Sequence, residues 1–188
     1  VVGDREFKPQ KNEGSAKTDK VVLALDNVTV KNDKGLPAVK NLTLDIHAGE
    51  IFGIAGVAGN GQKELAEVIV GLRKAETGNI VLNEENITKL SVKQRIQKKI
   101  AFIPEDRLSM GLVPGMTMDE NRILKQFGDK KFSKNCILNK KAISNEVDAE
   151  IARHEIKIVG KTAPVSLMSG GNQQKLIIAR EISGEPTL

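Results

Sequence analysis

Hydrophobic positions along the chain fall into short alternating runs, helical stripes and one abrupt glycine-rich break. Apolar residues from Val21 to Val30 predict a strand, and Leu42, Leu44 and Ile46 alternate through NLTLDIH as a second, with a turn-like stretch between them. This pair is expected to form a small antiparallel flank beside a main sheet. Ile51, Phe52 and Ile54 predict a further strand, which runs past Gly53, Gly56, Gly59 and Gly61 into a helix. Leu65, Val68, Ile69 and Leu72 recur at helical spacing there, and Gly71 breaks the pattern near its end. Residues 78–82 predict a strand ending at an Asn83, Glu84, Glu85 turn, and residues 91–99 a polar helix. Ile100, Ala101, Phe102 and Ile103 then make a compact apolar run, expected to be a buried strand, interrupted by Pro104 and leaving through Glu105, Asp106 and Arg107. Residues 116–125 and 143–154 predict helices, the second carried by Ile143, Val147 and Ile151, with a lysine-rich connection over 130–139. Finally, Leu176, Ile177, Ala179 and Ile182 predict a buried helical stripe behind Ser169, Gly170 and Gly171. Residues 1–20 show no hydrophobic period and read as a linker or tail that implies something upstream.

Composition narrows this picture. With 188 residues, 39% of them hydrophobic, the chain can bury one core, and residues 21–188 are expected to form one domain. No apolar run approaches the roughly 20 residues that cross a bilayer, and the N-terminus lacks a secretory core, so the chain is expected to be soluble by itself. The single cysteine, Cys136, excludes an intramolecular disulfide and fits a reducing compartment, and His47 and His154 form no metal-ligand cluster. A net charge of +5 permits nucleic acid, an anionic membrane surface or an anionic small ligand, and selects none of them. One basic run contains Lys93, Arg95, Lys98 and Lys99, and another Lys130, Lys131 and Lys134. Single-strand binders interleave aromatics with such charges, whereas this chain has no Trp or Tyr, so both runs read as solvated faces.

The candidate chemistry lies at the two glycine-opened helix starts. A strand, a glycine loop and a helix present backbone N–H groups and the positive end of a helix dipole, about half a unit charge, to a phosphate. A tight turn without a ligand would give the same local pattern. Gly56 and Gly61 resemble the two glycines of G-x-x-x-x-G-K-[ST], but Gln62 stands where the lysine belongs and Lys63 where the Ser or Thr belongs. Lys63 is a poor substitute, because one step along a helix turns a side chain by about 100°. The missing charge-assisted hydrogen bond forfeits roughly 1.5 to 3 kcal/mol, and the missing hydroxyl a magnesium ligand. Gly56, Gly59, Asn60, Gly61, Gln62 and Lys63 are therefore expected to hold nucleotide weakly and to hydrolyse it poorly. The charged strand exit at Glu105, Asp106 and Arg107 is a position where open α/β sheets place ligand-contacting residues, and equally an ion-rich turn. A second phosphate cradle is expected at LMSGGNQQK, with Ser169 donating or capping and Gly170 and Gly171 permitting close approach.

With both motifs in view, residues 21–188 resemble the ATP-binding subunits of ABC transporters, whose LSGGQ signature appears as LMSGG followed by Asn172 and Gln173. GGNQQK, together with PEDR at 104–107, looks most like one half of the double ATPase subunits of bacterial sugar importers, and GVAGNGQ like the branch importing purine nucleosides. The resemblance implies a P-loop NTPase-like α/β fold with an antiparallel β flank and a helical subdomain at about 116–170. It also implies a second, C-terminal half joined through residues 1–20, and a fragment ending before the Walker B strand, with the C-terminal part of the sheet missing. Glu105 sits where a catalytic half has a magnesium-contacting glutamine, and Asn32 about where an aromatic would stack on adenine. By the same resemblance, Ser169, Gly170, Gly171, Asn172 and Gln173 would complete an ATP site whose glycine loop belongs to a partner half. ATP and Mg2+ are the implied cofactors, bound weakly or not at all by the fragment, which would hold no catalytic or metal-ligating residue and show no turnover alone. The implied partners are an N-terminal ATPase half, a membrane permease at the cytoplasmic face and, indirectly, a solute-binding protein, with no nucleic acid. The competing reading is a soluble ABC-type module acting on nucleic acid or ribosomes.

Overall fold

A computed structural model describes residues 18–135 and 137–188, which form two compact units divided between Leu90 and Ser91. Most of the predicted linker, and Cys136, lie outside the described residues.

The first unit is built on a hairpin of two long strands, β1 (Val21–Lys31) and β2 (Pro37–His47). Asn32 closes the connection: its backbone N–H donates to the Leu36 carbonyl at 2.8 Å, and its side-chain oxygen accepts from the Lys34 and Leu36 N–H groups at 3.0 Å. The helix α1 (Gln62–Val70) follows the glycine loop and ends at Gly71, whose φ of 84° is the left-handed value that favours glycine. Strands β3 (Thr77–Leu82) and β4 (Glu85–Asn86) complete an antiparallel sheet of order β2-β1-β3-β4, with Leu23 opposite Leu82 and Leu25 opposite Ile80. Leu23, Leu25, Val28, Val30 and Ile80 are at most 1% exposed and make the inner face. Gly78 is fixed by crowding, since a Cβ there would stand 2.5 Å from both the Asp26 and Asn27 carbonyl oxygens.

Two predicted strands are absent. Residues 51–57 carry no regular secondary structure and belong to no ladder, and Ile51, Phe52 and Ile54 are 99%, 42% and 52% exposed. A strand needs a neighbour to take its N–H and C=O groups, and no described strand pairs with this one, so apolar composition alone does not make it a strand. At 100–103 only Ile100 is buried. Its neighbours make isolated ladder-like bonds, from the Ala101 N–H to the Leu188 carbonyl at 2.8 Å and from the Thr187 N–H to the Lys99 carbonyl at 2.9 Å.

The second unit is mainly helical. Helix α2 (Val92–Gln97) opens on a capping box between Ser91 and Gln94, and α3 (Met118–Ile123) on one between Thr117 and Glu120. Between them, Arg107–Gly111 forms a single π-turn capped by Asp106, whose carboxylate accepts from the Leu108 and Ser109 N–H groups. The lysine-rich connection contains a small hairpin that the sequence pattern does not reveal, β5 (Ser133–Lys134) with β6 (Ile137–Leu138). Helix α4 (Lys140–His154) buries Ile143 and Val147 as its spacing predicts, and a 3-10 turn (Val165–Leu167) leads to α5 (Gly170–Ile182). Leu176, Ile177 and Ala179 are fully buried with Val147 and Val165 in the core. Ile182, expected on that stripe, is instead 45% exposed, and Arg180 and Glu181 turn inward. The reversal follows from partnering: Glu181 accepts from Arg180 Nε at 3.1 Å, from the Phe102 N–H at 3.0 Å and from Lys125, so its charge is fully met.

Candidate functional site

The glycine loop of the first unit is shaped by backbone freedom at its two ends. Gly59 and Gly61 have φ of 90° and 96°, and Gly61 is the N-cap of α1. Gly61 also lies against β2, so that a Cβ would meet the Ala38 carbonyl oxygen at 2.5 Å and Val39 Cγ2 at 3.2 Å. No side chain caps this helix start, which leaves its first N–H groups directed at the loop.

The interior of the loop is taken by Gln62. A Cβ at Gly56 would stand 2.0 Å from Gln62 Nε2, and that amide donates to the Val57 carbonyl at 3.4 Å, a long contact. The loop is thus filled by a neutral amide. Lys63 points elsewhere, as expected from its place on the helix: its Nζ is 3.7 Å from Glu67 Oε1, and its side chain is 57% exposed. Glu67 is buried and also paired with Arg73 at 2.8 Å. Arg73 in turn holds Asp33 at 2.6 Å and donates to the Lys31 carbonyl at 2.9 Å, which fixes the strand connection to the end of α1. Hydrogen bonding and charge from Arg73 keep the Asp33 carboxyl below the usual carboxylate range. This pair has no signature in hydrophobic spacing. Asn32 spends its side chain inside its own turn.

An open groove of about 670 Å³ runs beside the loop, lined by Lys40, Leu42 and Leu44 of β2 and by Phe52, Ile54 and Gly56. Gly53, Asn60, Gly61 and Gln62 line it as well, so the groove reaches the glycine loop itself, and its walls are mostly apolar. The loop does not supply the hydroxyl that would ligate magnesium: Lys63 stands at that position in the sequence, with its ammonium turned to Glu67.

In the second unit the Ser-Gly-Gly turn opens α5 as the sequence predicts, with Ser169 extended at φ −63°, ψ 151°. Ser169 does not cap the helix. Its Oγ accepts from Asn172 Nδ2 at 2.9 Å, while Asn172 Oδ1 accepts from the Lys157 N–H at 2.8 Å. A Cβ on Gly171 would meet nothing within 4 Å, so the turn is open on that side. Gln173 is 5% exposed and donates to the Val165 and Met168 carbonyls at 3.1 and 3.2 Å, which makes it a brace behind the turn and not part of its open face.

The structure brings Arg107 to this turn, a meeting across 63 positions that spacing could not disclose (170 − 107). A Cβ on Gly170 would lie 3.3 Å from Arg107 Nη2, 3.6 Å from Cζ and 3.9 Å from Nη1, so the guanidinium lies broadside on the first turn of α5. Further along the same helix, Gly111 admits Ile177, whose Cδ1 would stand 2.7 Å from a Cβ at 111. Glu105 is exposed and Pro104 buried beside it. Asp106 is held below the usual carboxylate range chiefly by hydrogen bonding from Ser109.

A mixed α/β chain with a long antiparallel hairpin, a glycine loop opening one helix and a Ser-Gly-Gly turn opening another defines an ATP-binding cassette domain. The chain belongs to the ABC transporter family, which residues 39–188 match. It is similar to the guanosine import ATP-binding protein NupO of Bacillus subtilis, at 39% identity over 97% of this chain and 35% of that protein. It is also similar to the nucleoside import ATP-binding protein NupA of Lactococcus lactis, at 38% over 93% and 34%. The ribose import ATP-binding protein RbsA of Clostridium tetani is 36% identical over 89% of this chain and 32% of its own length. The chain thus spans about a third of the length of these relatives. Among solved structures, a dimeric ATP-binding cassette in a post-hydrolysis state bound to ADP and Pi superposes with a TM-score of 0.70 and 24% identity, over 87% of this chain and 70% of that one. A bacterial Atm1-family ABC exporter with ATP bound gives a TM-score of 0.66 at 19% identity, over 95% and 30%. These likenesses support the P-loop NTPase-like α/β fold.

Proposed function

We propose that this chain is part of the ATP-binding subunit of an importer for a nucleoside or simple sugar, and that it comes from the second, C-terminal half of that subunit. The observation that carries the reading is the contrast between the two helix starts. The loop at Gly56–Lys63 has a neutral amide folded into it where a lysine would contact phosphate, while the Ser169–Gly171 turn is open at Gly171. The chain's own loop then forms a weak, regulatory nucleotide site. Its signature turn completes the site of an N-terminal half, where positioned donors meet the charge that develops during phosphoryl transfer. Arg107, beside Gly170, adds a positive charge to that face.

The names of the relatives support import of nucleosides or sugars as the process; the direct partner would be a membrane permease, met at the cytoplasmic face, and a solute-binding protein would be linked only indirectly. No helix among the described residues is long and apolar enough to cross a membrane, so contact with the bilayer would be peripheral or through the permease. The test is made in the full-length subunit assembled with its permease. Changing Ser169 to Ala or Gly171 to Asp should abolish ATP turnover, while changing Gln62 to Ala should leave it nearly intact. Equal losses from both kinds of change would refute the asymmetry.

A further inference from the structure

The hairpin of the second unit has no part in either helix start, yet its surface is unusual. Between positions 127 and 141 the chain carries Lys130, Lys131, Lys134, Lys140 and Lys141 against one acid, Asp129. Phe127, Ile137 and Leu138 are 63%, 73% and 43% exposed in the same stretch. We infer that the β5–β6 hairpin is a membrane-surface contact that docks on anionic phospholipid headgroups.

The backbone is held ready for such a role. Phe132 is 2% exposed and packs with Ile123 and Ile143, which seats the hairpin on α3 and α4, and the Asn139 N–H closes it onto the Phe132 carbonyl at 2.8 Å. With the aromatic anchor turned inward, the apolar residues left outside serve no core. In the register Lys134 stands opposite Ile137 and Ser133 opposite Leu138, and directly opposed residues share a face of an antiparallel pair. One face therefore sets an ammonium beside an exposed isoleucine. Asp129 spends its carboxylate on the Lys131 N–H at 2.9 Å, and Lys131 reaches Glu146 at 2.5 Å. Among the described residues no acid lies within ion-pair distance of Lys130, Lys134, Lys140 or Lys141.

Exposed apolar residues interspersed with lysines match the interface of an anionic bilayer, where aliphatic groups enter the acyl boundary and long cationic side chains reach back to phosphate. Other occupants fit less well. Lysine is depleted at protein–protein interfaces, and single-stranded nucleic acid would need a row of aromatic faces, whereas of Phe127, Ile137 and Leu138 only the first offers one. The inference is independent of the transport reading, since it concerns direct contact with lipid and not attachment through a permease.

The test is flotation of the full-length protein, without permease, on phosphatidylcholine vesicles with and without phosphatidylglycerol. Binding should require phosphatidylglycerol, weaken with salt, and fall roughly five-fold for each of Lys130→Gln and Lys134→Gln. Ile137→Ser should weaken it further, and Lys134→Arg should retain it. These positions are exposed, and unchanged thermal melting by circular dichroism would show that the variants remain folded. Equal binding to neutral vesicles, no binding at all, insensitivity to every hairpin variant, or equal retention on single-stranded nucleic acid would each overturn the inference.

Discussion

Replacing Gly61 by alanine separates the two reasons for which a glycine can be required, because Gly59 nearby shares one reason and not the other. Both have positive φ, 96° at Gly61 and 90° at Gly59, so alanine at either place pays for a left-handed backbone, about 1 to 2 kcal/mol. At Gly59 nothing lies within 4 Å of the added Cβ, and the backbone cost should be the whole effect. At Gly61 the same carbon would stand 2.5 Å from the Ala38 carbonyl oxygen and 3.1 Å from its carbon. Backbone of a paired strand cannot swing away as a side-chain tip can, and such overpacking adds about 1 to 3 kcal/mol. Gly59→Ala should therefore cost about 1 to 2 kcal/mol and Gly61→Ala about 2 to 5, a large part of the 5–15 kcal/mol typical of a domain. With no Trp or Tyr in the chain, urea unfolding is followed by far-ultraviolet circular dichroism, comparing midpoints at constant slope. Equal destabilisation by the two changes would refute the argument that β2 confines the start of α1.

Gln62→Lys should strengthen ATP binding by the chain's own loop roughly ten- to a hundred-fold in calorimetric titration, since a charged donor replaces a neutral amide. Glu150→Ala should destabilise the second unit by about 3 kcal/mol, because it strips the 2.7 Å partner from Arg122, which is 1% exposed. The estimate sits at the low end for a broken buried pair, since Gln126 at 2.7 Å and Glu146 at 3.5 Å remain, and urea midpoints decide it. Burial holds the Asp119 carboxyl above its ordinary 3.8, with Asp148 and Glu120 raising it further and Lys161 opposing. A raised folded-state value means that the folded chain takes up the proton first, so stability is gained as pH falls through that value and is complete below 3.8. The wild type should accordingly gain on Asp119→Asn in chemical denaturation as pH is lowered toward 4, and a constant difference would exclude the burial cost.

Much of the chain is legible in its residues, because the information is local. The 2-residue alternation of Leu42, Leu44 and Ile46 and the break at Gly71 each act within one turn or one strand. The two glycine-opened helix starts belong to the same kind, and so does the place of Lys63 on the outer side of its helix. Tertiary structure decided whatever depends on a partner distant in sequence. Ile51, Phe52 and Ile54 are apolar enough for a strand yet belong to none, because a ladder is made by two segments and composition describes one. Glu181 and Arg180 entered the interior in place of Ile182 because Phe102 and Lys125 were there to meet the charge. Arg107 reached Gly170, and Gln62 folded over Gly56, through contacts that no spacing rule encodes. Local steric and hydrogen-bonding preferences thus placed the helix starts, while long-range packing determined which charges stand beside them.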